Sequence, residues 1–217
     1  METQIDWSKE IQPLINKYKG TKFPLDYRSN YQLLVMVILS AQDSNKNINN
    51  LSPAFFNKFP DFKSLSEAKP DDLFPYIQKV RNFSTKSRWL IEVAQKIKDE
   101  NNIPVTLEQL TKLPGIGRKS ARTILREMTG KSDGVYVDLH VVRVATRLGL
   151  TTNTDPKKIE VDIGTKISKD QQAEAGFSIS FLGIEICRPT NPKHGDCVMN
   201  KVCPYYLDYK NKIIEKN

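Results

Sequence analysis

The strongest constraint on the fold of this chain is the seven-residue run Leu113, Pro114, Gly115, Ile116, Gly117, Arg118 and Lys119. Two glycines separated by one residue make a tight turn, with positive φ cheap at each. Upstream, Thr106 and Gln109 have the spacing of a capping box for a helix over 107–112, which Pro114 helps to end. Downstream, Ala121, Ile124, Leu125 and Met128 fall at i, i+3, i+4 and i+7, and Gly130 supplies the stop. The result is a helix, a glycine hairpin and a second helix over about residues 107–129. Such a hairpin turns backbone N–H groups outward, and a helix N-terminus adds positive potential. Phosphate is the natural ligand for that geometry, held without reading base sequence.

The rest of the chain reads as helical too. Ile11, Leu14, Ile15 and Tyr18 have helical spacing, with Pro13 implying a kink or a late start. Residues 33–39 are apolar on all sides, the pattern of a helix buried at the centre of a domain, and run into a polar exit at 40–45. The pattern stays helical from 52 to 100, with a polar, basic turn at 80–86. Residues 134–137 lead into a helix capped by Asp138, with Val141, Val144, Ala145 and Leu148 on one face. Asp155 and Pro156 open another helix in a cap-then-proline arrangement. No strand alternation of useful length appears, so the expected class is all-α.

Charge and cysteine usage narrow the class of partner. Lys+Arg 33 against Asp+Glu 25 gives a net charge of +8 in 217 residues, a balance that favours polyanions. The run 33–39 is too short to span a bilayer, and the first six residues lack a basic-then-apolar leader pattern. The expectation is a cytoplasmic, intracellular protein without membrane contact. All three cysteines fall at 187–203, which suits metal binding better than a disulfide framework.

Lys119 and Asp138 stand nineteen residues apart and suggest chemistry as a pair. A lysine in the first turn of a helix feels the positive end of the dipole, which disfavours its protonated form, and partial burial would add to this. A neutral amine is a nucleophile for a sugar carbon. Asp138 could stabilise positive charge developing on that sugar.

The hairpin with Lys119, together with Val137, Asp138, Leu139 and His140, resembles the endonuclease III family of helix-hairpin-helix DNA glycosylases. The run Leu39, Ser40, Ala41 and Gln42 resembles that family's substrate-side helix exit, and residues 183–203 its iron–sulfur loop. The resemblance implies two helical domains with a DNA-binding cleft between them. One is continuous, 24–133; the other joins 1–23 to 134–217. It further implies a monomer that acts on double-stranded DNA with damaged bases or abasic sites, flipping the target nucleotide out of the stack. Lys119 would attack C1′ and Asp138 would stabilise the sugar. Gln42 would fill the space left by the flipped nucleotide, Asn82 would stand at the wedge position, and Gly115, Gly117 and Arg118 would meet a phosphate.

Departures from the family pattern matter as much. The family's metal loop reads C-x6-C-x2-C-x5-C; here Cys187, Cys197 and Cys203 hold the first, third and fourth places and His194 the second. By resemblance the loop holds a [4Fe–4S] cluster with His194 as fourth ligand. Zinc is the second reading, since Cys3His is an ordinary zinc set, and loss of metal the third. Asn45 replaces a usual aspartate, Arg81 and Asn82 replace a glycine and an apolar wedge, and Leu139 replaces a small hydroxyl residue. Oxidised pyrimidines are the default substrate. Two further readings stand beside the bifunctional glycosylase: a lyase acting at abasic sites with little base release, and a non-catalytic protein that binds DNA structure.

Overall fold

The structure is a computed structural model and describes residues 5–131 and 134–214. Those residues are helical, with no strand among them. In chain order the helices are α1 (Trp7–Glu10), α2 (Gln12–Tyr18), α3 (Asn30–Ser40), α4 (Asn45–Lys58), α5 (Phe62–Ser66), α6 (Pro70–Ile77), α7 (Phe83–Ile97), α8 (Leu107–Leu110), α9 (Arg118–Thr129), α10 (Leu139–Leu148), α11 (Pro156–Lys166), α12 (Gln172–Glu185) and α13 (Pro204–Ile214). The chain separates into two compact units, Lys22–Lys131 and the pair of segments Met1–Thr21 and Ser132–Asn217. The sequence places these boundaries two residues later, at 24 and 133. Asp133 and the first four residues, part of the leader argument, lie outside the described residues.

The continuous unit is built around α3. Every residue from Leu33 to Leu39 is buried, and α4, α7 and α9 pack on it. Burial of each aliphatic side chain contributes about 1.5–3 kcal/mol relative to leaving it exposed. Ser29 opens α3, its side chain accepting from the Gln32 amide at 3.2 Å. The helix ends at Ser40, where the chain turns to the surface and Gln42 is exposed. One reading of the 80–86 turn needs correction. Lys86 is not a solvated turn residue but is only 2% exposed, inside the first turn and a half of α7.

The second unit packs α12 against α10 and α2. Two glycines on α12 permit the close approach. A Cβ at Gly176 would lie 2.6 Å from the backbone N and O of Tyr136, and one at Gly183 would lie 2.8 Å from the Cβ of His140. Seven residues apart, these positions fall on one side of the helix. Pro13 sits in the first turn of α2, so the late helix start is the correct reading of that proline. Asp155 caps α11 ahead of Pro156, its carboxylate accepting from the amides of Lys157 and Lys158, both at 3.0 Å.

Candidate active site

The hairpin lies wholly within the continuous unit. Helix α8 stops at Leu110, two residues before the expected end. Thr106 caps it, accepting from the Gln109 amide at 3.3 Å; its own hydroxyl donates to the Gln109 side chain, in place of a reciprocal capping box. The two glycines prove unlike. Gly115 has φ +76, and a Cβ there would sit 2.6 Å from the Trp89 ring, so both conformation and space demand glycine. Gly117 is extended, at φ −84 and ψ 174, and a Cβ there would meet no described atom within 4 Å. The positive φ that glycine makes cheap is thus used at Gly115 and not at Gly117. Its backbone instead forms the N-cap of α9, with no side-chain cap. Arg118 and Lys119 follow as the first two residues of α9, and both are exposed. Burial therefore adds nothing to the dipole at Lys119.

Asp138 lies in the other unit and is fixed by four donors. Its Oδ1 accepts the amides of His140 and Val141, both at 2.9 Å, and so caps α10 as the sequence predicts. Its Oδ2 accepts the Ser180 hydroxyl at 2.8 Å and the Tyr136 hydroxyl at 3.2 Å. Burial, reinforced by the Asp138 carboxylate, pushes the Tyr136 phenol well above its usual range, so it remains a donor. The Tyr136 ring stacks on Phe177 with centroids 4.3 Å apart, and the approach at Gly176 holds its backbone. Beside this network Leu139 is 84% exposed, an apolar side chain next to a fixed carboxylate.

Gln42 and Asn82 both sit in exposed turns of the continuous unit with left-handed backbones, φ 60 and φ 57. For residues with a Cβ this conformation is uncommon and marks a constrained site. Asn45 begins α4, with Ser44 as its N-cap.

Cys187, His194, Cys197 and Cys203 line one small pocket, walled by apolar residues of α10 and α12. Arg147 donates to the Cys187 sulfur at 3.3 Å and to the carbonyls of Arg188 and Pro189, which ties the loop to α10. Burial raises the thiols of Cys197 and Cys203 above their usual range. The His194 ring stacks on Tyr206 and Tyr209, each centroid 4.9 Å away. Among the described residues no three His, Cys, Asp or Glu side chains are gathered as a coordination sphere. By chemistry the donor set fits a thiolate-held group: three sulfurs and an imidazole on one pocket, with a guanidinium beside one sulfur.

Residues 35–169 match the HhH-GPD superfamily of base excision DNA repair proteins. The chain is 34% identical to an endonuclease III of Synechocystis over 90% of each chain. Its identity to the endonuclease III of Thermotoga maritima is 28% over 85% of this chain and 88% of that one. In fold it is similar to a solved non-covalent endonuclease III–DNA complex, with a TM-score of 0.83 and 23% identity, covering 97% of this chain and 100% of that chain. The chain belongs to the endonuclease III family. It is thus an enzyme of the DNA glycosylase kind, built on the helix-hairpin-helix fold of base excision repair. No described helix is long and apolar enough to cross a membrane.

The sequence did not mark Tyr136 and Ser180 as hydrogen-bond partners of Asp138. The available signal was local: two serines, Ser178 and Ser180, in the otherwise apolar stretch 177–182. The partner at Asp138, 42 residues away, is not marked by any periodicity.

Proposed function

We propose that this chain is a bifunctional glycosylase and abasic-site lyase that removes damaged bases, by default oxidised pyrimidines, from double-stranded DNA. The observation that carries this reading is Lys119 itself, an exposed amine in the uncapped first turn of α9, directly after the glycine N-cap. The amides of that turn and Arg118 would grip a phosphate, and an extruded nucleotide would offer its C1′ to the amine. In its neutral form, the Lys119 Nζ forms a bond to C1′ as the glycosidic bond breaks, and the base departs and takes up a proton. Asp138 stabilises positive charge on the sugar while this bond is breaking; its four donors keep it from swinging away. Ring opening gives a Schiff base. Loss of a C2′ proton then expels the phosphate on the 3′ side and cuts the strand.

In this reading Gln42 and Asn82 enter the base stack at the extruded nucleotide, and Gly115 and Gly117 allow close approach of the phosphate. Cys187, His194, Cys197 and Cys203 would hold a [4Fe–4S] cluster, with zinc as the alternative occupant of the same donors. The bound group supplies structure: it fixes the loop that carries Arg188 and Lys193. The protein works as a monomer inside the cell. A second reading, a lyase with little base release, is favoured by Asn82, which is polar and replaces lost stacking poorly.

Borohydride trapping on duplexes carrying thymine glycol or an abasic site, run side by side, tests the proposal. Adducts on both are expected. An adduct on the abasic duplex alone keeps Lys119 as nucleophile and moves the search to other damaged bases, with the second reading selected if no base is released. None on either, with DNA binding intact, refutes the enzyme mechanism.

A further inference from the structure

The two left-handed turns of the continuous unit share a set of internal anchors. Lys86 is buried, and its Nζ donates to the carbonyls of Leu39 at 2.7 Å and Ala41 at 2.6 Å, at the C-terminal end of α3. Its backbone amide donates to the Asn82 carbonyl at 3.0 Å. Its side chain therefore grips the chain immediately before Gln42 from a position one helical turn after Asn82. Asp43 joins the same two turns from the other side. Its Oδ2 accepts the Arg81 amide at 2.9 Å, and its Oδ1 accepts the Ser44 amide at 2.8 Å and the Asn47 side chain at 2.9 Å. Asn47 also donates to the Lys79 carbonyl at 3.2 Å, closing the bridge.

A buried ammonium is a costly way to fill a core position, where an unbranched apolar side chain of the same length would cost less. Burial pushes the Lys86 ammonium below its usual range, while Asp43 opposes that shift and favours the charged form. The return on that cost is geometric. The α3 carbonyls lie at the negative end of the helix dipole, and a lysine there satisfies groups that water would otherwise reach. Left-handed conformations at residues with a Cβ persist only where the surroundings over-determine them, and Gln42 and Asn82 are each flanked by these anchors.

We infer that Lys86 and Asp43 are positioning residues that preset Gln42 and Asn82 as one rigid pair of prongs, and so govern how readily a paired nucleotide is extruded. This rests on the reading above in which both tips enter the base stack. Preset prongs spare the complex the ordering of two loops, and misplacement by about 1 Å costs a rate on the order of 100-fold. Substrates that need no extrusion should be indifferent to the anchors.

The test uses Lys86→Met, which keeps length and removes the donors, and Asp43→Asn, at a partly exposed position where misfolding is less of a concern. Two readouts are compared. The first is single-turnover cutting at an abasic site in a duplex and in a single strand. The expected result is a loss on the order of 100-fold in the duplex and within about threefold in the single strand. The second is fluorescence of a 2-aminopurine next to a tetrahydrofuran abasic analogue in a duplex, with each change added to Lys119→Gln protein. This reads unstacking without chemistry, and each anchor change should reduce it about tenfold. An equal loss of cutting on both substrates, or unchanged 2-aminopurine unstacking, overturns the inference. Absence of cutting by the unaltered protein would refute the glycosylase reading instead, and the fluorescence would still decide the anchors.

Discussion

The first turn of α9 and the first turn of α10 each present one group that the proposed chemistry needs, and they are built in opposite ways. At α9 the N-cap is Gly117, with no side chain to satisfy the helix amides. At α10 the N-cap is Asp138, which satisfies its own helix with one oxygen and receives Ser180 and Tyr136 on the other. One helix end carries no side-chain cap; the other is capped and held by its own carboxylate. A phosphate grip tolerates the lack of a cap because the anion itself supplies acceptors. A carboxylate meant to face developing charge gains more from being held in place in advance.

The contrast can be broken most severely at Gly115. Gly115→Val would force a β-branched residue to positive φ and drive its side chain into Trp89, at a cost on the order of 3 kcal/mol or more. Denaturant unfolding followed by Trp fluorescence should show the loss. At α10, Asp138→Ala removes a cap and strands two buried hydroxyls, with an expected cost of about 2–3 kcal/mol. Asp138→Asn keeps a good cap and should cost less than about 1 kcal/mol while still depressing base excision, which separates the structural role from the chemical one. Equal stability losses for the two variants would contradict that separation.

Ser180→Ala should be milder, about 1 kcal/mol, because Tyr136 still donates to the same oxygen. Its catalytic defect is expected to appear in single-turnover rate more than in DNA affinity. Gly117→Ala should have the smallest effect on folding, within about 1 kcal/mol, since a Cβ there has open space and φ is negative. Its consequence belongs to binding: a weaker grip on any duplex, independent of sequence, seen in a fluorescence anisotropy titration. Should Gly117→Ala bind DNA normally, the open helix end has no phosphate to hold.

These pairs also explain what was legible in the chain before any coordinates. Asp138, Asp155 with Pro156, and the helix-hairpin-helix were readable because caps, turns and helical faces act over three or four residues. The buried α3 was readable from its unbroken apolar run. Lys86 was misread as part of a polar turn because its acceptors, Leu39 and Ala41, lie 47 and 45 positions away, and nothing local distinguishes it from a solvated lysine. Ser180 was hidden for the same reason, 42 positions from Asp138, whereas Tyr136 stands only two residues before it and was missed because no cap or helical-face rule places that hydroxyl on the carboxylate. The two hairpin glycines looked alike in the sequence, where positive φ is cheap at either, yet only Gly115 adopts that conformation. The unlike roles of those glycines emerge from what surrounds them, which a spacing rule does not carry.

The central claim is that Lys119 is the nucleophile, and one measurement addresses it directly. Unaltered protein and Lys119→Gln are each incubated with an abasic-site duplex and borohydride, and the adduct is digested and mapped by mass spectrometry. A single covalent adduct is expected on the peptide that contains Lys119, and none with Lys119→Gln although that protein still binds the duplex. An adduct mapped to another residue, or one that persists undiminished in Lys119→Gln, would contradict it.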